Sequence, residues 1–101
     1  MKEVRYTILA TTKYSEWFNE QPAKSQVQIL DRLSRIQEYG HFGDHKDVGD
    51  QVWELKWPNG RRIYYAYIPE KKILLILGGN KNGQDKDIRQ AQKILCANIQ
   101  R

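Results

Sequence analysis

From Val4 to Leu9 apolar and polar positions alternate weakly, and Val, Tyr, Thr and Ile are all present, which predicts a first strand. Thr11 and Thr12 then offer an N-cap, and Tyr14, Trp17 and Phe18 fall at i, i+3 and i+4 on one face of a short first helix. Pro22 suits the first turn of a second helix, where its missing N–H costs nothing. Val27, Ile29, Leu30, Leu33 and Ile36 carry an apolar stripe on to Tyr39, and Gly40 is a natural stop. The segment His41 to Asp50 has glycine, charge and no period, so it reads as a loop. Three strands follow, Val52–Trp57, Arg61–Ile68 and Lys72–Gly78, joined by short turns as an antiparallel meander. Beyond the Gly78-Gly79 break, Ile88, Ala91, Ile94, Leu95 and Ile99 mark a last helix capped by Asp85 or a neighbour. The order β-α-α-β-β-β-α predicts an α+β fold. Its small antiparallel sheet, an N-terminal strand plus the meander, would carry the two N-terminal helices on one face, with a C-terminal helix completing the layout.

The turn Trp57-Pro58-Asn59-Gly60-Arg61 fits a three-residue hairpin loop, with Gly where φ must be positive. That loop sets Lys56 opposite Arg62, Leu55 opposite Ile63, Glu54 opposite Tyr64 and Trp53 opposite Tyr65. One face then holds Trp53, Leu55, Trp57, Ile63, Tyr65 and Tyr67, apolar enough to receive helices. The other holds Glu54, Lys56, Arg62 and Tyr64. A two-residue turn would slip the register by one and drive charge into the helix-covered layer.

With 101 residues, 40% of them hydrophobic, the chain suits one domain spanning 1–101 with a real core. The longest apolar run, Ile73 to Leu77, is far shorter than the roughly 20 residues of a membrane span, and Met1-Lys2-Glu3 opens no signal-peptide pattern. A soluble, cytoplasmic protein with no membrane partner is expected. Cys96 is the only cysteine, which excludes a disulfide framework and a cysteine metal site, and its place in an apolar helical pattern predicts plain core. The net charge of +5 is uneven. Residues 1–51 carry seven Lys/Arg against eight Asp/Glu, whereas residues 52–101 carry ten against four, so the second half holds +6 and the first −1. A basic half without a basic, Trp/Leu-rich amphipathic helix points to RNA or DNA ahead of membrane.

The polar sheet face can be an ordinary solvated surface with cross-strand ion pairs, but it also carries the groups that cut RNA. Scission by the neighbouring 2′-OH needs a base, an acid for the leaving oxygen, and positive charge for the phosphorane. Arg62 never gives up its proton, so its role there is to bind phosphate and stabilise the transition state. Glu54 could be the base, and lysines crowded by other cations, Lys56 and Lys81, could carry the proton in either direction. Tyr64 or Tyr65, not both, could stack on bases. His41 and His45, four apart beside Asp44 and Asp47, read as surface histidines in a loop, with His45 close to the cleft; no metal site is expected.

The runs FGDHKDVGDQVWELKWPNGRRIYYAY and ILLILGGNKNGQDKDIRQAQKIL resemble the HigB-like, phage-protein-related branch of the RelE/ParE toxin superfamily. Gly40, Phe42, Gly43, Asp44 and Lys46 fit its first motif. Glu54-Leu55-Lys56 fits a Glu-Leu-Arg strand, and Gly60-Arg61-Arg62 fits Gly-Tyr-Arg, with Arg61 in place of tyrosine. Gly78-Gly79-Asn80-Lys81 and Gln84 fit a Gly-Gly-Asp-Lys ending that closes on Asp-Ile. The resemblance implies a type II toxin that cuts translated mRNA in the ribosomal A site, with Lys56, Arg62, Lys81 and Glu54 as catalytic candidates and Lys46, Arg61, Tyr64 and Gln84 as RNA-binding ones. It implies no cofactor. Its partners would be the ribosome, mRNA and a cognate antitoxin, a helix-turn-helix protein of the HigA-like kind. Two alternatives stay open: a ParE-like poison of DNA gyrase, and a non-catalytic RNA- or ribosome-binding module.

Overall fold

A computed structural model describes residues 5–99, so Val4 and the first three residues of the sequence reading lie outside it, as does the side chain of Ile99. The elements are β1 (Thr7–Ala10), α1 (Thr12–Asn19), α2 (Ala23–Tyr39), β2 (His45–Gly49), β3 (Val52–Lys56), β4 (Arg61–Ile68), β5 (Lys72–Asn80), a 3-10 turn (Lys81–Gly83) and α3 (Gln84–Ile99). The α+β class holds. Thr11 caps α1 as expected: its Oγ1 accepts from Tyr14 N at 3.0 Å and donates to Ile76 O at 2.6 Å, tying the helix start to β5. Pro22 sits one residue earlier than expected, as the N-cap of α2, and Gly40 ends that helix at φ 72°.

Several expectations are corrected. The sheet has five strands in the order β1-β5-β4-β3-β2, and β1 runs parallel to β5, so the sheet is mixed and not purely antiparallel. Sequence marked β1 as a strand but held nothing about its partner. The expected loop contains β2, an edge strand whose exposed His45, Lys46 and Asp47 and whose bulge between Asp47 and Gly49 erase any apolar period. The two N-terminal helices share one face as expected, and α3 takes the other. α1 and α2 cover Leu55, Ile63, Tyr65, Ile73 and Leu75 with Tyr14, Ile29, Leu33 and Ile36. On the other side Ala91 and Leu95 of α3 pack with Val52, Tyr64, Ala66, Ile76 and Leu77.

Val27 and Leu30 lie on the outer side of α2 and are exposed, and Cys96 is exposed on α3, outside the core. The Gly78-Gly79 pair is no break: β5 runs through it to Asn80. A Cβ on Gly78 would strike the Trp17 ring and one on Gly79 would strike Asp87 Oδ2, so each glycine admits a side chain from the helix on its own side. Asn80, not Asp85, provides the cap, its Oδ1 accepting from Asn82 N at 2.9 Å ahead of the 3-10 turn that leads into α3.

The predicted hairpin register is the observed one: Lys56 pairs with Arg62, Leu55 with Ile63, Glu54 with Tyr64 and Trp53 with Tyr65. Gly60 takes φ 100°, as the turn requires. Arg32 of α2 holds this end of the sheet in place. Its guanidinium donates to Phe42 O at 2.9 Å, to Asp44 O at 2.6 Å and to Lys56 O, and lies 4.4 Å over the Trp57 ring. No helix among the described residues is long and apolar enough to cross a membrane.

Candidate functional site

Two cross-strand rows on the α3 side of the sheet bring most of the expected residues together. The first row is Lys46, Glu54, Tyr64 and Leu77 on β2, β3, β4 and β5; the second is Lys56, Arg62 and Gly79. Like charges directly opposite one another destabilise a sheet. The Lys56–Arg62 pairing is therefore a place that an anion would relieve.

Glu54 has no exposed surface, and Arg62 Nε stands 4.0 Å from its Oε2, with the Arg62 side chain 11% exposed. Gln84, at the start of α3, donates to the same Oε2 at 2.6 Å. Arg62 Nη1 donates to Trp57 O at 3.1 Å and to Arg61 O at 2.9 Å, which folds the guanidinium back onto the hairpin end. Arg62 Nε remains shielded without a hydrogen bond in this one place, while the Tyr64 hydroxyl lies against the Glu54 carboxyl. An unsatisfied donor in a low-dielectric setting costs about 1–3 kcal/mol. Burial, and after it the Glu54 carboxyl, pushes the Tyr64 phenol well above its usual range.

Lys81 is exposed on the 3-10 turn, with its backbone N–H on Gly60 O at 2.8 Å and its aliphatic stem over Gly60. It thus borders the same hairpin end. Lys46 is exposed at the edge, opposite Glu54. Sequence reasoning missed Asp87, whose carboxyl stands over Gly79, the cross-strand partner of Arg62. Burial raises its pKa and the neighbouring Lys86 lowers it. The Asp-Ile pair that closes the last motif was the available signal. Also missed was a basic groove of about 680 Å³ between α1 and α3, lined by Lys13, Lys86, Arg89, Gln90 and Lys93.

Other candidates are placed elsewhere. Arg61 alternates to the α1/α2 side, where it is 8% exposed, lies 5.3 Å from the Trp57 ring and donates to Gln28 Oε1 at 3.2 Å. The ring of Tyr64 is fully buried and offers no face to a base. His45 pairs with Leu55, packs on Phe42 and Trp53 and bonds Gly43 O at 2.8 Å, so it is away from the cleft; His41 is exposed beside Tyr39. Among the described residues no group of His, Cys, Asp and Glu could hold a metal ion.

A five-stranded mixed sheet with two helices on one side and one on the other is the RelE fold. The E. coli toxin RelE with two arginine-to-alanine substitutions, in the free state, matches with a TM-score of 0.69 at 16% identity over 87% of this chain and 94% of that one. A chain of the intact E. coli RelBE toxin–antitoxin complex matches at 0.63 and 19% identity, over 74% and 95%. The chain belongs to the phage-derived Gp49-like family (DUF891), whose model matches residues 16–96. An uncharacterized protein of Haemophilus influenzae is 34% identical over 88 residues, which is 84% of this chain and 88% of that one.

Proposed function

We propose that this chain, a single domain, is the toxin of a type II toxin–antitoxin pair and cuts mRNA on the ribosome. The observation that carries the reading is the convergence of Arg62, Lys56 and Lys81 on one hairpin end above a buried carboxyl. A sheet face built only for stability would not set a like-charge pair beside a fully buried carboxylate at one point. The RelE fold supports the toxin role, since the solved relatives are toxins and toxin–antitoxin complexes.

In this reading Arg62 binds the scissile phosphate and stabilises the charge that builds on its oxygens. Glu54 is too shielded to touch RNA, so its work is to position Arg62, with Gln84 fixing the carboxyl from behind. Lys56 and Lys81 stand at the rim as proton carriers, and Lys46 meets the flanking backbone. The ribosome supplies much of the rest by holding mRNA in a bent, near-in-line geometry, an effect worth about 7–11 kcal/mol in favourable cases. A cognate antitoxin, helix-turn-helix and HigA-like, neutralises the toxin by covering this basic end, and the pair acts in the cytoplasm.

Primer extension in a translating extract tests the assignment. Wild type gives discrete cuts within codons, and Arg62→Ala, folded by circular dichroism, cuts about 10²- to 10³-fold more slowly, the usual effect of removing one charge-stabilising donor. A folded Arg62→Ala protein that cuts at the wild-type rate would overturn the site. Uniform stalling without cuts would instead identify a ribosome-binding module, and inhibition of gyrase supercoiling a ParE-like poison.

A further inference from the structure

On the opposite side of the sheet from Arg62, a notch of about 290 Å³ opens between α1, α2 and the ends of β4 and β5, and Trp17, Gln21, Ser25, Asn59, Arg61 and Asn80 line it. Its polar groups are mostly donors. Asn59 Oδ1 accepts from Arg61 N at 2.9 Å and Asn80 Oδ1 accepts from Asn82 N at 2.9 Å. A backbone N–H can only donate, so the oxygen of each amide must face it, and each Nδ2 is left free. Neither Nδ2 has an acceptor among the described residues. Arg61 adds a guanidinium that is nine-tenths buried, with Nη2 on Gln28 and Nη1 shielded without any acceptor in the protein. Ser25 contributes a hydroxyl, and no Asp or Glu lines the notch.

We infer that this notch is a second anion site, built to receive a phosphate group beside Arg61. A phosphate oxygen offers the acceptors that Asn59 Nδ2 and Asn80 Nδ2 lack, beside the positive charge that Arg61 holds at the wall of the notch. The volume lies just below the roughly 300–1,000 Å³ span of ligand pockets, room for one phosphate and its sugar. Gln21 donates its own amide to Trp17 O at 3.0 Å, which leaves its carbonyl oxygen for a ribose hydroxyl. Arg61 and Arg62 are neighbours on one strand, so the protein grips phosphate on both faces of the same hairpin end, and the second grip stands whether or not the chain cuts RNA.

The test is NMR titration of the full chain, observing the Asn59 and Asn80 side-chain amides and the Ser25 amide. The probes are inorganic phosphate and, separately, an uncleavable 2′-O-methyl RNA trinucleotide, with chloride at matched ionic strength as control. Saturable shifts at these three residues are expected with phosphate chemistry and not with chloride. Movement by the trinucleotide assigns the site to a nucleic-acid backbone, and movement by phosphate alone assigns it to a small phosphorylated molecule. Asn59→Asp combined with Asn80→Asp keeps both backbone acceptors but replaces the free donors with negative charge, and should weaken binding at least about tenfold. Arg61→Gln should weaken it too; because Arg61 also packs on Trp57, the aspartate pair is the deciding variant. No saturable shift with either probe, or unchanged affinity in the folded aspartate pair, overturns the proposal.

Discussion

The two faces of this sheet are built from the same strands and solve different problems. The face under α1 and α2 buries Leu55, Ile63, Tyr65, Ile73 and Leu75 against two helices and a cluster of aromatic rings in which Phe42 stacks on Tyr65. The face under α3 is apolar along β5 and at the far end of β4, then turns polar at Glu54 and Arg62 just where the helix begins. The first face is an apolar and aromatic core, with a buried charge, Arg61, only at its hairpin end. The second keeps ionisable groups out of water at one end, and retains them at a cost in stability. The contrast separates residues that make the fold from residues that the fold carries.

Substitutions can break that contrast. Ile29→Ala on the first face should cost about 2–5 kcal/mol in chemical denaturation, the price of deleting fully buried methylenes without collapse. Glu54→Gln combined with Arg62→Met, on the second, should shift stability by no more than about 1 kcal/mol, because it removes both partners of a buried, widely spaced ion pair, while abolishing cleavage. A loss of about 3–5 kcal/mol for the double variant would show that the polar end is a stability element like the other face.

Alkali probes both faces together. Burial raises the phenols of Tyr14 and Tyr65 on the first face and Tyr64 on the second above their ordinary value of 10.0. Below that value both states hold the proton and nothing changes. Above it the unfolded chain releases protons that the folded chain keeps, so stability falls as pH rises, by about 1.4 kcal/mol per pH unit for each tyrosine and about 4 for the three. Urea midpoints measured from pH 9 upward give the slope. Tyr14→Phe should reduce it by about a third and, by removing a buried hydroxyl without a hydrogen bond, should raise stability at neutral pH by about 1 kcal/mol. A slope short by one tyrosine that Tyr64→Phe leaves unchanged would mean that the second face admits water around that ring.

The smallest effect lies outside both faces. Asp50 and Gln51 join β2 to β3 with φ of 52° and 68°, a two-residue turn in which side chains are strained. Gln51→Gly relieves about 1–2 kcal/mol of left-handed strain but frees the unfolded chain by about 0.5–1, so a net gain near 0.5 kcal/mol is expected in thermal or urea unfolding.

Where the chain repeats a period, the sequence was readable. α1, α2, the three strands of the meander and the register of β3 against β4 follow from apolar spacing and from one turn. The misreadings have specific physical origins. β2 is polar because it is an edge, so period-two reasoning had nothing to detect. Ile76 and Leu77 both face α3 because β5 bulges where β4 passes from Tyr64 to Tyr65, a shift that alternation alone does not reveal. Val27 and Leu30 satisfy an apolar stripe without being inside it, since a helix stripe is wider than the strip the sheet covers. At the site, the resemblance and the register together named Glu54, Arg62 and Gln84. They did not show that Gln84 bonds Glu54 or that Asp87 leans over Gly79, because both contacts depend on how α3 crosses the sheet.

The turn from Trp57 to Arg61 is also a counting device. Strand side chains alternate, so Arg61 and Arg62 are assigned to opposite sides only by the number of residues between β3 and β4. Removing one residue from that turn, without touching either arginine, would exchange them and leave both pockets holding the wrong neighbour. The loop between α1 and α2 joins no paired strands and sets no such register. In the hairpin turn viable length changes come in steps of two, a parity rule that can be read directly from the gaps between related sequences.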